Sequence, residues 1–139
     1  MTAKEYLSKI QTYRQTLAAL ELRIEELYSK ADGLKAITYD KDRVQVTIEN
    51  QFEELVVKLI AEADKWVALR VKCEREMRKR VERIQKMDNP TYIRLLTLRY
   101  IEDKRWEEIA CIMNYTFRHV IRLHGAALAD FARRNRDVL

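Results

Sequence analysis

The sequence predicts an all-α protein, built as a long antiparallel helical hairpin that is followed by a compact unit of three short helices. Two observations lead to this fold class. Helix breakers are scarce, with 2 Gly and 1 Pro among 139 residues. Apolar residues also recur at helical spacing, over long stretches in the first two thirds of the chain and in short segments afterwards. A chain of this length holds one domain of ordinary size and cannot hold a large enzyme.

The first predicted helix covers about residues 2–31 and carries an apolar seam with the a/d spacing of a coiled coil. The seam is formed by two series with seven-residue intervals: Ala3, Ile10, Leu17, Ile24 and Ala31, and Tyr6, Tyr13, Leu20, Leu27 and Leu34. Charged residues occupy the other faces. A seam sustained over more than four heptads needs a partner helix to cover it.

Residues 32–50 interrupt this pattern and predict a connecting loop, with room for a short extended piece. The interruption contains Asp32-Gly33, a charged stretch, and a β-branched run that consists of Val44, Val46, Thr47 and Ile48.

A second seam follows in a predicted helix at about residues 50–87. Its members are Phe52, Val56, Leu59, Ala63, Trp66, Arg70, Cys73, Met77, Arg80, Ile84 and Met87. The simplest structure is an antiparallel hairpin in which the two seams face each other.

Two arginines, Arg70 and Arg80, lie on the second seam, where an unpaired charge is costly. Three arrangements satisfy them: the side chains reach out to solvent, they pair with Glu21 or Glu25 of the first helix, or this zone associates with a second chain. The same helix has a basic flank, which we interpret as a solvated face in preference to a phosphate-binding surface.

The only proline marks a predicted domain boundary. Asn89 suits the N-cap and Pro90 the first position of a new helix. We therefore assign residues 1–88 to a hairpin for oligomerisation or interaction and residues 89–139 to a second domain.

Three short apolar-periodic segments follow the proline, and their apolar faces can share one small core. They are represented by Ile93, Leu95, Leu96, Leu98 and Tyr100, by Trp106, Ile109, Ala110 and either Ile112 or Met113, and by Val120, Leu123, Ala127, Leu128 and Phe131. Between the last two segments, Asn114 tolerates the left-handed conformation that often ends a helix, and Thr116 can cap the next one. This pattern predicts a helix-turn-helix unit.

If Val120 points inward, the start of the last helix presents an outward face that in this motif enters the major groove of DNA. The candidate DNA-binding residues on that face are Thr116, Phe117, Arg118, His119, Ile121 and Arg122. The guanidinium groups of Arg118 and Arg122 suit guanine edges. Beyond the helix, Arg133, Arg134 and Arg136 form a basic tail, for which phosphate contact and simple solvation are both open.

The stretch "LLTLRYIEDKRWEEIACIMNYTFRHVIRLHGAAL" resembles the C-terminal helix-turn-helix, known as region 4, of sigma-70-type factors. Together with "MTAKEYL" and "DKDRVQ", it more closely resembles a family of small prophage proteins of low-GC Gram-positive bacteria, described as phage transcriptional regulators. The resemblance implies DNA binding, with residues 106–113 as the supporting helix and 116–131 as the recognition helix. Arg105, Asn114 and Phe117 depart from the usual residues of this motif.

Several other kinds of site lack support in the sequence. No nucleophile–base pair, paired acids in a glycine-rich pocket or phosphate-binding loop is present, so we expect no enzyme and no cofactor. His119 and His124 are five residues apart and lack further ligands, so we expect no metal. Cys73 and Cys111 have no CxxC partner and are interpreted as reduced, packed thiols.

The chain has no signal-peptide core and no apolar run long enough to span a membrane, so we expect a soluble protein in the cytoplasm of a bacterial host. The net charge of +5 is compatible with nucleic-acid binding and is also common among cytosolic proteins.

Three functional hypotheses follow. The first is a phage or prophage transcriptional regulator that binds double-stranded DNA as a homo-oligomer, with a dimer favoured, and contacts RNA polymerase in one version. The second is a small packaging subunit that recognises viral DNA as part of a ring. The third is a sigma-like module that binds polymerase and does not touch DNA.

Overall fold

The computed structural model describes the backbone of residues 1–39 and 46–139 and the side chains of residues 1–36 and 50–139. It contains five α-helices and a short π-helix, and no strand occurs within these ranges. The elements are α1 (Ala3–Tyr39), α2 (Val46–Gln85), α3 (Pro90–Leu96), the π-helix (Thr97–Ile101), α4 (Trp106–Met113) and α5 (Phe117–Arg134).

The predicted fold class is confirmed: α1 and α2 form an antiparallel hairpin, and three short helices follow. The predicted first seam is the buried face of α1, in which Ile10 and Leu27 are at most 2% exposed. Only Tyr13 and Leu34 of that seam are half-buried. The second seam is likewise buried or half-buried along its whole length. Heptad spacing therefore located the inner face of both helices correctly.

The predicted loop at residues 32–50 is wrong in extent. Helix α1 continues to Tyr39, and α2 begins at Val46. Gly33 has no positive φ, and a single helical glycine costs only about 1 kcal/mol relative to alanine. That cost does not stop a helix whose seam is still covered, since Ala31 is 1% exposed. The predicted extended piece includes Val44, which lies outside the described residues.

Contacts between Cα atoms divide the chain into two compact units. We call residues 1–15 and 75–139 the head unit and residues 16–74 the hairpin unit. The head unit thus combines the three short helices with one end of each long helix. The contacts therefore group residues 1–15 and 75–88 with the segment that the sequence analysis assigned to a second domain, and the functional division at residue 88 stays a prediction.

The core of the head unit joins its long and short helices. Its fully buried members include Leu7 and Ile10 from α1, Ile84 from α2, and Ile109 and Phe131 from the short helices. The rings of Tyr6 and Phe131 lie 5.9 Å apart between centroids. Each such buried side chain contributes about 1.5–3 kcal/mol of hydrophobic stabilisation. The short helices therefore depend on α1 and α2 for part of their core.

Arg80 resolves one of the open alternatives of the sequence analysis. It is 6% exposed and pairs with Glu76 of its own helix, at 3.3 Å, and not with Glu21 or Glu25. Its Nε donates to the carbonyl oxygen of Tyr6 at 3.1 Å, and its guanidinium lies over the rings of Tyr6 and Tyr13, at 4.4 and 4.9 Å from their centroids. A buried arginine is tolerated here because hydrogen bonds and aromatic faces surround it.

The first short helix begins as predicted. The Asn89 side chain accepts from the backbone N–H of Thr91 at 2.9 Å, and Pro90 is the first helical residue. The π-helix that follows ends near Asp103, which has a positive φ of 54°. Within this stretch, the carbonyl oxygen of Tyr100 accepts from Gln11 at 2.8 Å. That bond fixes the π-helix against α1.

The hairpin unit is held by its seam and by a few exposed polar contacts. Arg23 of α1 lies 3.4 Å from Glu62 of α2, and the Tyr28 hydroxyl lies 3.4 Å from the Asp64 carboxylate. Exposed pairs of this kind contribute only about 0–1 kcal/mol each. The apolar seam therefore supplies most of the stability of this unit.

Candidate nucleic-acid interface

The turn between α4 and α5 is a Schellman motif, built as the sequence predicted. Asn114 adopts the left-handed conformation, with φ 57° and ψ 43°. The N–H of Tyr115 donates to the carbonyl oxygen of Ala110 at 3.0 Å, and the N–H of Asn114 donates to that of Cys111 at 3.3 Å. These two bonds satisfy carbonyl groups that the end of α4 leaves free. The direction of α5 relative to α4 is therefore fixed by backbone hydrogen bonds.

Thr116 is the N-cap of α5, also as predicted. Its hydroxyl oxygen accepts from the backbone N–H of His119 at 3.2 Å. The cap uses the oxygen as an acceptor and leaves the hydroxyl proton free to donate to a ligand such as a phosphate. The cap and a phosphate contact are therefore compatible.

Helix α5 has a buried face and a solvent-exposed face. The buried face consists of Val120, His124, Ala127 and Phe131, which are at most 9% exposed. On the solvent-exposed face, Phe117 is 50% exposed and Ile121 is 40% exposed. Arg118 and Arg122 are exposed as well. The predicted inward position of Val120 is confirmed, and the residues predicted to point outward are exposed except His119, which is half-buried.

Arg118 and Arg122 form no hydrogen bond or ion pair with any residue that the structure describes. They lie one helical turn apart in the first half of α5 and face solvent. A guanidinium group that has no internal partner keeps all five of its donors for a ligand. These two side chains are therefore the strongest candidates for contact with an acidic or hydrogen-bonding partner.

The predicted basic tail divides into different environments. Arg133 and Arg134 are still helical, and both pair with Asp130, whose side chain is 13% exposed. Arg134 also lies 2.7 Å from Asp88. Hydrogen bonds from Arg133, and then from Arg134, lower the pKa of Asp130. These two arginines are thus partly neutralised, whereas Arg136 is exposed and has no described partner.

The last residues fold back onto the head unit. Asn135 is buried, and its side-chain carbonyl accepts from Arg83 at 2.9 Å. Arg83 also pairs with Asp137 at 3.0 Å, and its hydrogen bond lowers the pKa of that carboxyl group. Val138 and Leu139 pack against the core. Asn135, Val138 and Leu139 therefore attach the end of the chain to the head unit.

The two histidines have different roles. His119 is half-buried and meets the ring of Tyr115 edge-on, with centroids 4.8 Å apart. His124 is buried, and its Nε2 lies 2.8 Å from the Tyr100 hydroxyl. Trp106 packs against His124 at 4.5 Å. Burial lowers the pKa of His124 to about 4 and raises that of Tyr100 to about 12.

Charge is distributed unequally between the two units. The head unit contains 18 Lys and Arg and 10 Asp and Glu, a net charge of +8. The hairpin unit contains 9 Lys and Arg and 12 Asp and Glu, a net charge of −3. Within the head unit, the first turn of α4 carries Glu107 and Glu108. Glu108 accepts from the N–H of Arg105 at 3.3 Å, which is the half of a capping box that the third helical residue supplies. An anionic partner is therefore favoured at α5 and disfavoured at the start of α4.

Two surface residues near the turn escaped the sequence analysis. Tyr115 is 41% exposed, and Arg94 of α3 donates to the carbonyl oxygen of Ile112 at 3.4 Å. Tyr115 contacts His119 in the first turn of α5, and Arg94 contacts the end of α4. Tyr115 had a signal in the sequence, since an aromatic residue inside a tight turn has little core to enter. Arg94 had none.

Other kinds of site were searched for among the described residues. No group of three or more His, Cys, Asp and Glu side chains is placed to hold a metal ion there. Cys73 is half-buried, but Cys111 is exposed, so its predicted packing is wrong. None of the helices in the described ranges combines the length and apolar character that crossing a bilayer requires.

Comparisons with protein-family models, curated proteins and solved structures found no match in any of the three. The resemblance to sigma-70-type factors and to prophage regulators therefore stays a prediction. Any functional conclusion depends on the geometry and charge of the head unit.

Proposed function

We propose that this protein is a DNA-binding regulator of transcription, of phage or prophage origin, that inserts the first half of α5 into the major groove. The observation that carries the proposal is the pair Arg118 and Arg122, exposed and unpartnered on the helix after a helix-turn-helix bend. Arginine forks bind guanine O6 and N7 in the major groove, and a helix presented this way fits the groove.

The surroundings of this pair support a nucleic acid as the ligand. The head unit has a net charge of +8, which attracts a polyanion and speeds encounter with it. The Thr116 hydroxyl and the exposed Arg136 are available for phosphate oxygens. Arg133 is 67% exposed despite its ion pair, and exposed pairs are weak enough to exchange for a phosphate. Phe117 and Ile121 suit the methyl groups of thymine.

Selection of bound duplexes from a random pool tests the proposal. We expect an enriched sequence motif, and the symmetry of that motif reports whether two heads bind together. A pool that stays random after several rounds contradicts sequence-specific binding.

Single arginine variants then separate base contacts from phosphate contacts. With the selected duplex, we expect Arg118→Ala to lose about 1–3 kcal/mol of binding energy and most discrimination against a scrambled duplex. Arg136→Ala should weaken binding to both duplexes equally and reduce the salt dependence. Arg78→Ala is the matched control, because Arg78 is an exposed arginine of the head unit outside the proposed interface. Equal discrimination by Arg118→Ala and Arg78→Ala would rule out the assignment.

One observation favours a protein partner as a second candidate. Ile112, Tyr115, Phe117 and Ile121 are each 40–50% exposed around the start of α5, and apolar and aromatic residues are enriched at the centres of protein interfaces. In this alternative the head binds RNA polymerase and not DNA. Polymerase binding without salt-sensitive DNA affinity would select it. A packaging subunit is the third possibility, and a closed ring in solution would favour it over a regulator.

A further inference from the structure

Within the hairpin unit, helix α2 carries an outer line of residues that is separate from the seam that faces α1. Its residues alternate in spacings of three and four, and all are exposed: Leu55, Lys58, Glu62, Lys65, Leu69 and Lys72. Leu55 is 45% exposed and Leu69 is 47% exposed. Alternating spacings of three and four are the pattern with which one helix packs along another. Among the described residues, Arg23 of α1 pairs with Glu62 at 3.4 Å, and the two leucines and three lysines of this line are exposed.

The middle of this outer line forms a shallow hollow. Six residues line it: Lys58, Ala61, Glu62, Lys65, Trp66 and Leu69. Ala61 is exposed, and Trp66, which also belongs to the seam that faces α1, is half-buried at the edge of this hollow.

This face is complementary to itself when a second copy of α2 runs antiparallel to it. We place the two-fold axis between Ala63 and Asp64. A residue a given number of positions before the axis in one copy then faces the residue the same number of positions after the axis in the other copy. Glu62 then faces Lys65, and Ala61 faces Trp66. In the same register, Lys58 faces Leu69 and Leu55 faces Lys72, so the lysine stems cover the leucines.

We propose that α2 of the hairpin unit is the surface through which two copies of this chain form an antiparallel homodimer. Two reciprocal Glu62–Lys65 pairs define the register. An isologous contact requires that the interface residues map onto one another, as a helical stripe of this spacing does when it pairs antiparallel with its own copy. The opposite charges of Glu62 and Lys65 are the feature that favours a second copy in this register. The proposal does not depend on DNA binding.

Charge reversal tests the register. The wild-type chain should show a monomer–dimer equilibrium in sedimentation velocity. Lys65→Glu places Glu against Glu twice per dimer, and we expect the dissociation constant of the dimer to rise by about tenfold or more. Glu62→Lys should act in the same direction by placing Lys against Lys.

Mixing the two variants gives the decisive measurement. In a heterodimer of Lys65→Glu with Glu62→Lys, opposite charges face each other at both positions, so the mixture should dimerise about as well as the wild type. The double variant Lys65→Glu/Glu62→Lys should also recover self-association. Recovery in the mixture cannot come from a general loss of folding, and circular dichroism of each variant checks the fold directly.

Matched controls remove two simpler explanations. Lys30→Glu and Glu25→Lys make the same charge changes on exposed positions of α1 and should leave the dissociation constant unchanged. Glu62→Lys also removes the ion pair with Arg23, so Arg23→Gln is compared and should have no comparable effect. The proposal is overturned if the wild-type chain is monomeric throughout, if Lys65→Glu dimerises like the wild type, or if the mixture stays monomeric.

Discussion

The head unit and the hairpin unit share two long helices but differ in how these helices are used. In the head unit, short helices enclose the ends of α1 and α2. Of the nine largest fully buried side chains among the described residues, eight lie there: Leu7, Ile10, Ile84, Leu95, Leu96, Ile109, Val120 and Phe131. The hairpin unit contributes only Leu27. Two helices can shelter a line of residues between them, whereas several crossing helices enclose a volume.

The difference extends to the surfaces. The hairpin unit is slightly acidic and leaves large apolar side chains exposed, with Leu22 at 64% and Val57 at 65%. The head unit is strongly basic and concentrates its exposed apolar residues around the start of α5. Burial is therefore incomplete in the hairpin unit, which is consistent with a surface that needs a partner helix. In the head unit, the exposed residues are localised beside unpartnered charge.

The largest expected effect contrasts the two cores. Phe131→Ala empties a fully buried site in the head unit and should lower the free energy of unfolding by about 3–5 kcal/mol. Leu27→Ala should lower the free energy of unfolding by about 2 kcal/mol, the lower end of the range for Leu→Ala in protein cores. The reason is that two helices can move together and fill part of the cavity. Each unit contains one tryptophan. Urea unfolding followed by fluorescence therefore reports on the head unit through Trp106 in a Trp66→Phe background, and on the hairpin unit through Trp66 in a Trp106→Phe background. Equal costs would remove the proposed contrast.

A second expected effect is a pH dependence specific to the head unit, which holds both histidines. Because burial lowers the pKa of His124 to about 4, the unfolded state binds more protons than the folded state between about pH 6.5 and 4. Stability should be complete above pH 6.5 and fall by about 2–3 kcal/mol as the pH drops to 4.

His124→Gln should flatten this slope, while His119→Gln, at the half-buried histidine, should retain it. Urea unfolding at a series of pH values, followed by Trp106 fluorescence in the Trp66→Phe background, measures the slope. An unchanged slope between pH 6.5 and 5 in His124→Gln would contradict the assignment to His124, because carboxyl groups with lowered pKa values, such as Asp130 and Asp137, take up protons only below about pH 5.

The smallest expected effect uses one glycine from each unit. Gly33 in α1 and Gly125 in α5 are helical, and a Cβ at either position meets nothing within 4 Å. Gly33→Ala and Gly125→Ala should each stabilise the protein by about 0.5–1 kcal/mol. Only Gly125→Ala should weaken DNA binding, because Gly125 lies on the same face as Arg118, two turns further along α5. Thermal unfolding and binding titrations with the selected duplex measure both effects, and equal binding by both variants would contradict the proposed orientation of α5.

Local chemistry explains which parts of the fold were predictable. The heptad spacing predicted the buried faces of α1 and α2, and Asn114 and Thr116 predicted the bend before α5, because these signals involve residues within a few positions of each other. The loop prediction failed at Gly33 because a seam covered on both sides of the glycine outweighs its intrinsic cost.

For the candidate site, the sequence predicted that Arg118 and Arg122 point outward. The pairs of Arg133 and Arg134 with Asp130 are local, three and four residues apart on α5, and the sequence analysis did not use this spacing. The further pair of Arg134 with Asp88 was not predictable, because it depends on where the end of α2 meets α5. The contacts of Arg83 with Asn135 and Asp137 were likewise not predictable, because they too join distant parts of the chain. Contacts between residues about fifty positions apart leave no periodic signal.

The sequence by itself determined the helices, the inner face of each, and the position of the turn, since hydrophobic period and capping act over one or two helical turns. Only the tertiary structure decided how the chain divides into units, that Asp88 and Asp137 pair with Arg134 and Arg83, and which side of α2 is exposed. Those properties depend on which distant surfaces exclude water from one another, and a linear sequence does not state that.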